Sequence, residues 1–94
     1  MDPLGIDEYS DNLFGRYQAL RVYTAIARLA TRQFATGDLA KLTGVPTPAL
    51  SKELGRLSYL ELVRSTSRRG DYERIDDSPF WAWCDVQATY WGLE

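Results

Sequence analysis

The sequence predicts a mainly α fold with a small β-hairpin, an α+β class, and three observations support it. Apolar residues recur every three or four positions in three separate stretches, two later segments alternate around a glycine, and Gly or Pro punctuates the joins. With 94 residues, 45% of them hydrophobic and 13% aromatic, the chain has apolar surface for one core and reads as a single domain over 1–94.

Residues 1–10 read as a flexible acidic N-terminus. Ser10, Asp11 and Asn12 offer caps for a first helix over 11–32, in which Leu13, Tyr17, Leu20, Tyr23, Ala27 and Ala30 share one face. Val22, Ile26 and Leu29 widen that face, while Arg21, Arg28 and Arg32 fall within about 40° of one another on a helical wheel. Gln33, Phe34 and Ala35 are enough for a one-bridge strand. Thr36 can then cap a short helix over 37–42 that Gly44 stops, opening a two-helix segment over 36–60.

Each proline of Val45-Pro46-Thr47-Pro48 biases the residue before it away from helix, yet Pro48 suits the first turn of a helix over 48–60 capped by Thr47. Leu50, Leu54 and Leu57 lie within about 60° and face the core, whereas Pro48, Ser51, Lys52, Gly55, Arg56 and Tyr59 fall on the outer half. Residues 63–67 and 71–75 alternate around Arg68-Arg69-Gly70, a hairpin over 62–76 with an arginine tip. Ser78 caps and Pro79 opens a last helix over 79–92, with Phe80, Cys84, Ala88 and Trp91 on one stripe and Trp83, Val86 and Tyr90 on its neighbour.

The formal net charge of -2 conceals an uneven distribution. All 11 basic residues lie between Arg16 and Arg74, where only Asp38, Glu53, Glu61, Asp71 and Glu73 oppose them; the remaining acids occupy the flanks. A basic middle fits a polyanion-binding surface, with ordinary surface charge as the alternative. The lone Cys84 and the absence of His exclude an intramolecular disulfide, a zinc ribbon and the usual general base, so no metal or cofactor is expected. No Gly-rich phosphate loop ends in Lys-Ser or Lys-Thr, and the adjacent Asp76 and Asp77 are badly placed to flank one substrate, so no enzyme is expected. The longest uncharged run, Leu42 to Ser51, is too short for a membrane span, and the start Met1-Asp2-Pro3 is unlike a signal peptide. The expectation is a cytoplasmic protein.

Helix, short strand, helix, tight turn, helix, hairpin, helix is the order of a winged helix-turn-helix. Between Thr36 and Leu57, the spacing of Leu39, Ala40, Gly44, Val45, Leu50 and Leu54 lets two helices cross closely. Ala40 is small at the crossing, Gly44 can turn left-handed, and Val45 plugs the core. From Tyr23 to Ile75 this pattern resembles the winged helix-turn-helix regulators of the MarR and ArsR kind. The run from Tyr72 to Trp83 is also similar to the tyrosine, isoleucine, aspartate, proline and aromatic pattern of the winged domain near the C-terminus of archaeal-type AAA and STAND ATPases. Here Ser78 stands between Asp77 and Pro79.

The resemblance implies a transcription regulator that binds double-stranded DNA sequence-specifically. The helix from Pro48 would enter the major groove, offering Thr47, Ser51, Lys52 and Arg56 to base edges and phosphates, with Tyr59 reaching a phosphate. Arg68 and Arg69 at the wing tip, flanked by Arg64 and Arg74, would meet the backbone or the adjacent minor groove.

Each role has a plainer counterpart. Lys52 and Arg56 can form a solvated face beside Glu53, Arg68 and Arg69 an exposed turn, and Tyr59 can pack under the wing. Arg21, Arg28 and Arg32 read as partners for acids, and Cys84 as a small buried apolar group. The last helix carries all three tryptophans, more apolar girth than one small body covers easily, so Trp81, Trp83, Tyr90 and Trp91 are expected in a homodimer interface or the core. The rival reading is a winged domain that contacts a protein partner and binds no DNA.

Overall fold

In the computed structural model, which describes residues 5–67 and 70–92, the apolar spacing that predicts one long first helix builds two. The first, α1 (Gly5–Phe14), ends at Gly15, whose φ of 73° is left-handed and whose N–H donates to the Asp11 carbonyl at 2.8 Å. The second, α2 (Ala19–Ala27), starts four residues later. Residues 5–10, expected to be flexible, are therefore helical, and the reason is burial. Ile6 and Ser10 are fully covered, with Ile6, Leu20 and Trp91 forming a small apolar cluster. Ser10 is not the residue before a helix but lies inside α1. Its hydroxyl accepts from Leu20 N at 2.9 Å and donates to the Arg16 carbonyl at 2.7 Å, so it satisfies the start of α2 from across the turn.

Residues 28–32 lie beyond α2 rather than within it. The Arg74 guanidinium donates to the carbonyls of Ile26 at 2.6 Å and of Ala27 and Leu29 at 3.3 Å, taking up the carbonyls that a continued helix would have used. The chain is then free to extend into β1 (Gln33–Ala35). This strand pairs at three positions, not one, along β3 (Asp71–Arg74), which pairs on its other side with β2 (Val63–Ser65), giving an antiparallel sheet of order β1-β3-β2. Phe34 and Tyr72 oppose each other in edge-to-face contact, with ring centroids 6.1 Å apart.

Thr36 and Thr47 do not act as N-caps. Thr36 is the first residue of α3 (Thr36–Thr43); its amide and hydroxyl both donate to the Gly70 carbonyl, at 2.9 and 2.7 Å, fastening the helix start to the hairpin. Thr47 is the first residue of α4 (Thr47–Tyr59), whose cap position is the extended Pro46. Gly44 ends α3 at a φ of 72°, its N–H donating to the Ala40 carbonyl at 2.9 Å, and Val45 is buried directly after it. Ser78 does cap α5 (Pro79–Tyr90), accepting from Phe80 N at 3.2 Å.

The main core gathers Val22, Tyr23 and Ile26 of α2, Leu39 of α3, Leu50, Leu54 and Leu57 of α4, and Trp81 and Cys84 of α5. α2 runs through the middle, packed against α1, α3, α4 and α5. Among the described residues, no buried side-chain nitrogen or oxygen lacks a partner, and no helix is long and apolar enough to cross a membrane.

Candidate functional site

The burial of Leu50, Leu54 and Leu57 fixes which way α4 faces, because residues on the other half of the helix are then turned outward. Thr47, Ser51, Lys52, Arg56 and Tyr59 are all exposed, and Tyr59, at 87%, packs under nothing. α4 also lies against β2. Lys52 makes no ion pair among the described residues, whereas Arg56 Nη1 lies 3.3 Å from Glu53 Oε2. On β2, Arg64 is exposed but is paired with Glu73, directly opposite it on β3. That hydrogen bond, then one from Gln33, holds the Glu73 carboxyl below its ordinary range. Arg68 and Arg69 lie outside the described residues.

Arg74 is not a candidate for contact outside the chain. Its side chain is largely covered, held by the α2 carbonyls and by Asp76. Arg21, Arg28 and Arg32 pair with Asp7, Asp85 and Glu73, the outcome expected of that edge. The basic middle of the chain is thus partly neutralised in place: of nine described Lys and Arg residues, seven are ion-paired, sharing five carboxylates because Glu53 and Glu73 each serve two, and Lys41 and Lys52 are not.

The structure places Glu53 where the sequence gives little warning. Only 7% exposed, its carboxylate accepts from Tyr23 Oη at 2.6 Å, from Arg16 Nε at 2.7 Å and from Arg56 Nη1 at 3.3 Å. Arg16 also donates to Tyr23 Oη at 2.9 Å and to the Phe14 carbonyl at 3.1 Å. Burial pulls the Arg16 pKa down, but its hydrogen bonds to Tyr23 and Glu53 outweigh this and hold it above its ordinary value. Burial, reinforced by Glu53, pushes the Tyr23 hydroxyl up to about 12. The one available signal was position: Glu53 precedes the inward Leu54 and sits three residues after Leu50, close to the buried stripe.

This network borders an open hollow of about 640 Å³ lined from the end of α1, from α2, from α4 and the residues just after it, and from α5. Phe14, Tyr23, Leu57, Leu62 and Phe80 give it an apolar wall, with Phe14 and Phe80 flanking Tyr23 edge-on at centroid distances of 5.3 and 5.6 Å.

The tryptophans expected at a homodimer interface mostly serve one chain. Trp81 is buried in the main core with its indole N–H donating to the Leu62 carbonyl at 3.0 Å, and Trp91 is covered by α1, its N–H reaching Gln87 Oε1 at 3.2 Å. Helix α1 supplies the cover that the sequence reading lacked. Trp83 is half-buried against Phe14 and Phe80, leaving Tyr90 and its neighbour Val86 exposed, at 53% and 63%. Cys84 is fully buried, and desolvation pushes its thiol up to about 12.

No family model, curated protein or solved structure matches this chain.

Proposed function

We propose that the chain is a winged helix-turn-helix domain that binds double-stranded DNA sequence-specifically and regulates transcription. The observation that carries this reading is α4, which buries Leu50, Leu54 and Leu57 and exposes Thr47, Ser51, Lys52, Arg56 and Tyr59. The sheet order β1-β3-β2 and the left-handed turn at Gly44 agree with it. In the proposed complex the first turns of α4 enter the major groove. Thr47 and Ser51 face base edges, Lys52 and Arg56 face guanine edges or phosphates, and Tyr59 and Arg64 face the backbone. Arg68 and Arg69 follow the hairpin to the flanking groove. Two copies joined through the exposed Val86 and Tyr90 of α5 would read an inverted repeat.

Selection of bound fragments from a random duplex pool, beside a measurement of solution mass, tests the proposal. An enriched palindromic motif and a mass of two chains are expected; no enriched sequence would overturn DNA reading.

A second reading is favoured by the in-place ion pairs, which engage seven of the nine described cations within the chain. In it the domain contacts a protein partner through α5. The double variant Arg68→Glu with Arg69→Glu separates the two: it should abolish DNA retention but leave an α5-mediated complex intact.

A further inference from the structure

Two kinds of surface meet at the open hollow beside α4. One is apolar: Phe14, Tyr23, Leu57, Leu62 and Phe80 form its wall, and Tyr59 and Leu60 stand at its edge, 87% and 61% exposed. Large apolar side chains left uncovered next to an apolar wall mark a contact surface, where single ones scattered over a protein do not. The other surface is cationic. Arg16 and Arg56 both pair with Glu53, and Lys52 has no ion pair among the described residues, so three cations are set against one carboxylate. Three of the five Arg16 N–H donors are used within the chain, leaving two.

Together these surfaces select the class of occupant. Lys52 and Tyr59 lie about 10 Å apart along the axis of α4 at 1.5 Å per residue, so the cations and the exposed ring are about two turns from each other. A duplex has phosphates for the cations but nothing that buries the aromatic wall. A protein segment with carboxylates about two turns from an apolar anchor engages both. Gly55 is an independent observation. It is exposed in the interior of α4, on the same face, where only proline is a poorer helix former. Nothing inside the chain requires it, because a Cβ built there meets no atom within 4 Å, whereas a second backbone laid across α4 comes closest at a residue without a side chain.

We propose that this face of α4 docks an acidic amphipathic helix of a protein partner. Its apolar anchor lies among Tyr59, Leu60 and Phe80, its backbone crosses at Gly55, and its carboxylates meet Lys52, Arg56 and the free Arg16 donors. Apolar burial supplies most of the affinity, and the charge pairs set orientation and choice of partner. The contact is on α4, apart from the α5 surface of the second reading above, and does not depend on DNA binding. Since Lys52, Arg56 and Tyr59 are also the proposed DNA-facing residues, partner and duplex exclude one another, and that consequence alone rests on the DNA reading.

The test uses the full chain, without DNA, and three helical peptides about five turns long that share a stripe of Leu and Trp and carry Glu, Gln or Lys beside it. Binding is followed by backbone amide shifts. The Glu peptide should give saturable shifts centred on Gly55, Arg56 and Tyr59, and the Gln peptide should bind at least about fivefold more weakly through the loss of two partly exposed charge pairs. Lys52→Glu should weaken the Glu peptide and strengthen the Lys peptide, whereas Lys41→Glu, at the other lysine without an ion pair among the described residues, should change neither. Tyr59→Ala, at an exposed position, and Gly55→Leu, whose side chain enters open space, should keep the fold and lose the binding. Absence of saturable shifts, equal affinity for the Glu and Lys peptides, equal effects of the two lysine variants, or unaltered binding in folded Tyr59→Ala or Gly55→Leu would each overturn the proposal. So would a solution mass of two chains that falls to one in Tyr59→Ala, which assigns the face to a second copy. Failure to bind any duplex leaves these outcomes unchanged, so the two readings fail separately.

Discussion

Glu53 shows how one side chain can set the character of a surface. A carboxylate at 7% exposure survives only with partners, and Arg16, Tyr23 and Arg56 supply them from three parts of the chain. Glu53→Ala leaves the Tyr23 hydroxyl and the partly covered Arg16 short of an acceptor, and should cost about 1–3 kcal/mol, a fall in melting temperature of roughly 5–20 °C for a chain of this size. A denaturant midpoint equal to that of the parent would show that the network contributes nothing. Tyr23 and Cys84 predict the alkaline limb of stability. Their pKa values rise from 10.0 and 9.0 to about 12 in the fold, so between those limits the unfolded chain sheds protons that the folded chain retains. Stability should be undiminished by these groups below about pH 9 and decline from there toward pH 12. Urea midpoints at stepped pH test this, and Cys84→Ala should make the decline shallower.

At the scale of elements, what was legible in the sequence was local, and what was not came from contacts distant along the chain. The leucine spacing of α4, the Gly44 turn, the Ser78 cap and the antiparallel pairing of β2 with β3 all follow from neighbours within a few residues. The division of the first helix was written at Gly15, yet the apolar periodicity ran through it from Leu13 to Tyr17 and hid it. Helix α1 has few apolar residues, and its stability depends on Leu20 and Trp91, which no local pattern connects to Ile6. The site divides the same way: the outward set on α4 was readable from periodicity, whereas the pairing of Arg64 with Glu73 and of Arg56 with Glu53 needed the fold. Two glycines should respond oppositely to alanine. Gly44→Ala, forced to a φ of 72°, should destabilise by about 1–2 kcal/mol, while Gly55→Ala, in open helical space, should stabilise by about 1 kcal/mol. Thermal unfolding of both variants checks this, and a shift of the same sign in each would contradict it.

For the whole molecule, the acidic flanks and the basic middle meet in the fold. Asp7 and Asp85, from opposite ends, pair with Arg21 and Arg28 on α2, so the charge asymmetry of the sequence is partly an internal scaffold. The proposed DNA contact therefore depends on a small set of cations around Lys52 and the hairpin. It predicts an affinity for the selected duplex whose logarithm falls linearly with the logarithm of salt concentration, at a slope of about −0.9 for each phosphate neutralised. Measured with the parent chain and Lys52→Ala, the variant's slope should be shallower by about one unit per copy bound. An affinity indifferent to salt, or a Lys52→Ala slope equal to the parent's, would contradict the placement of α4 against DNA.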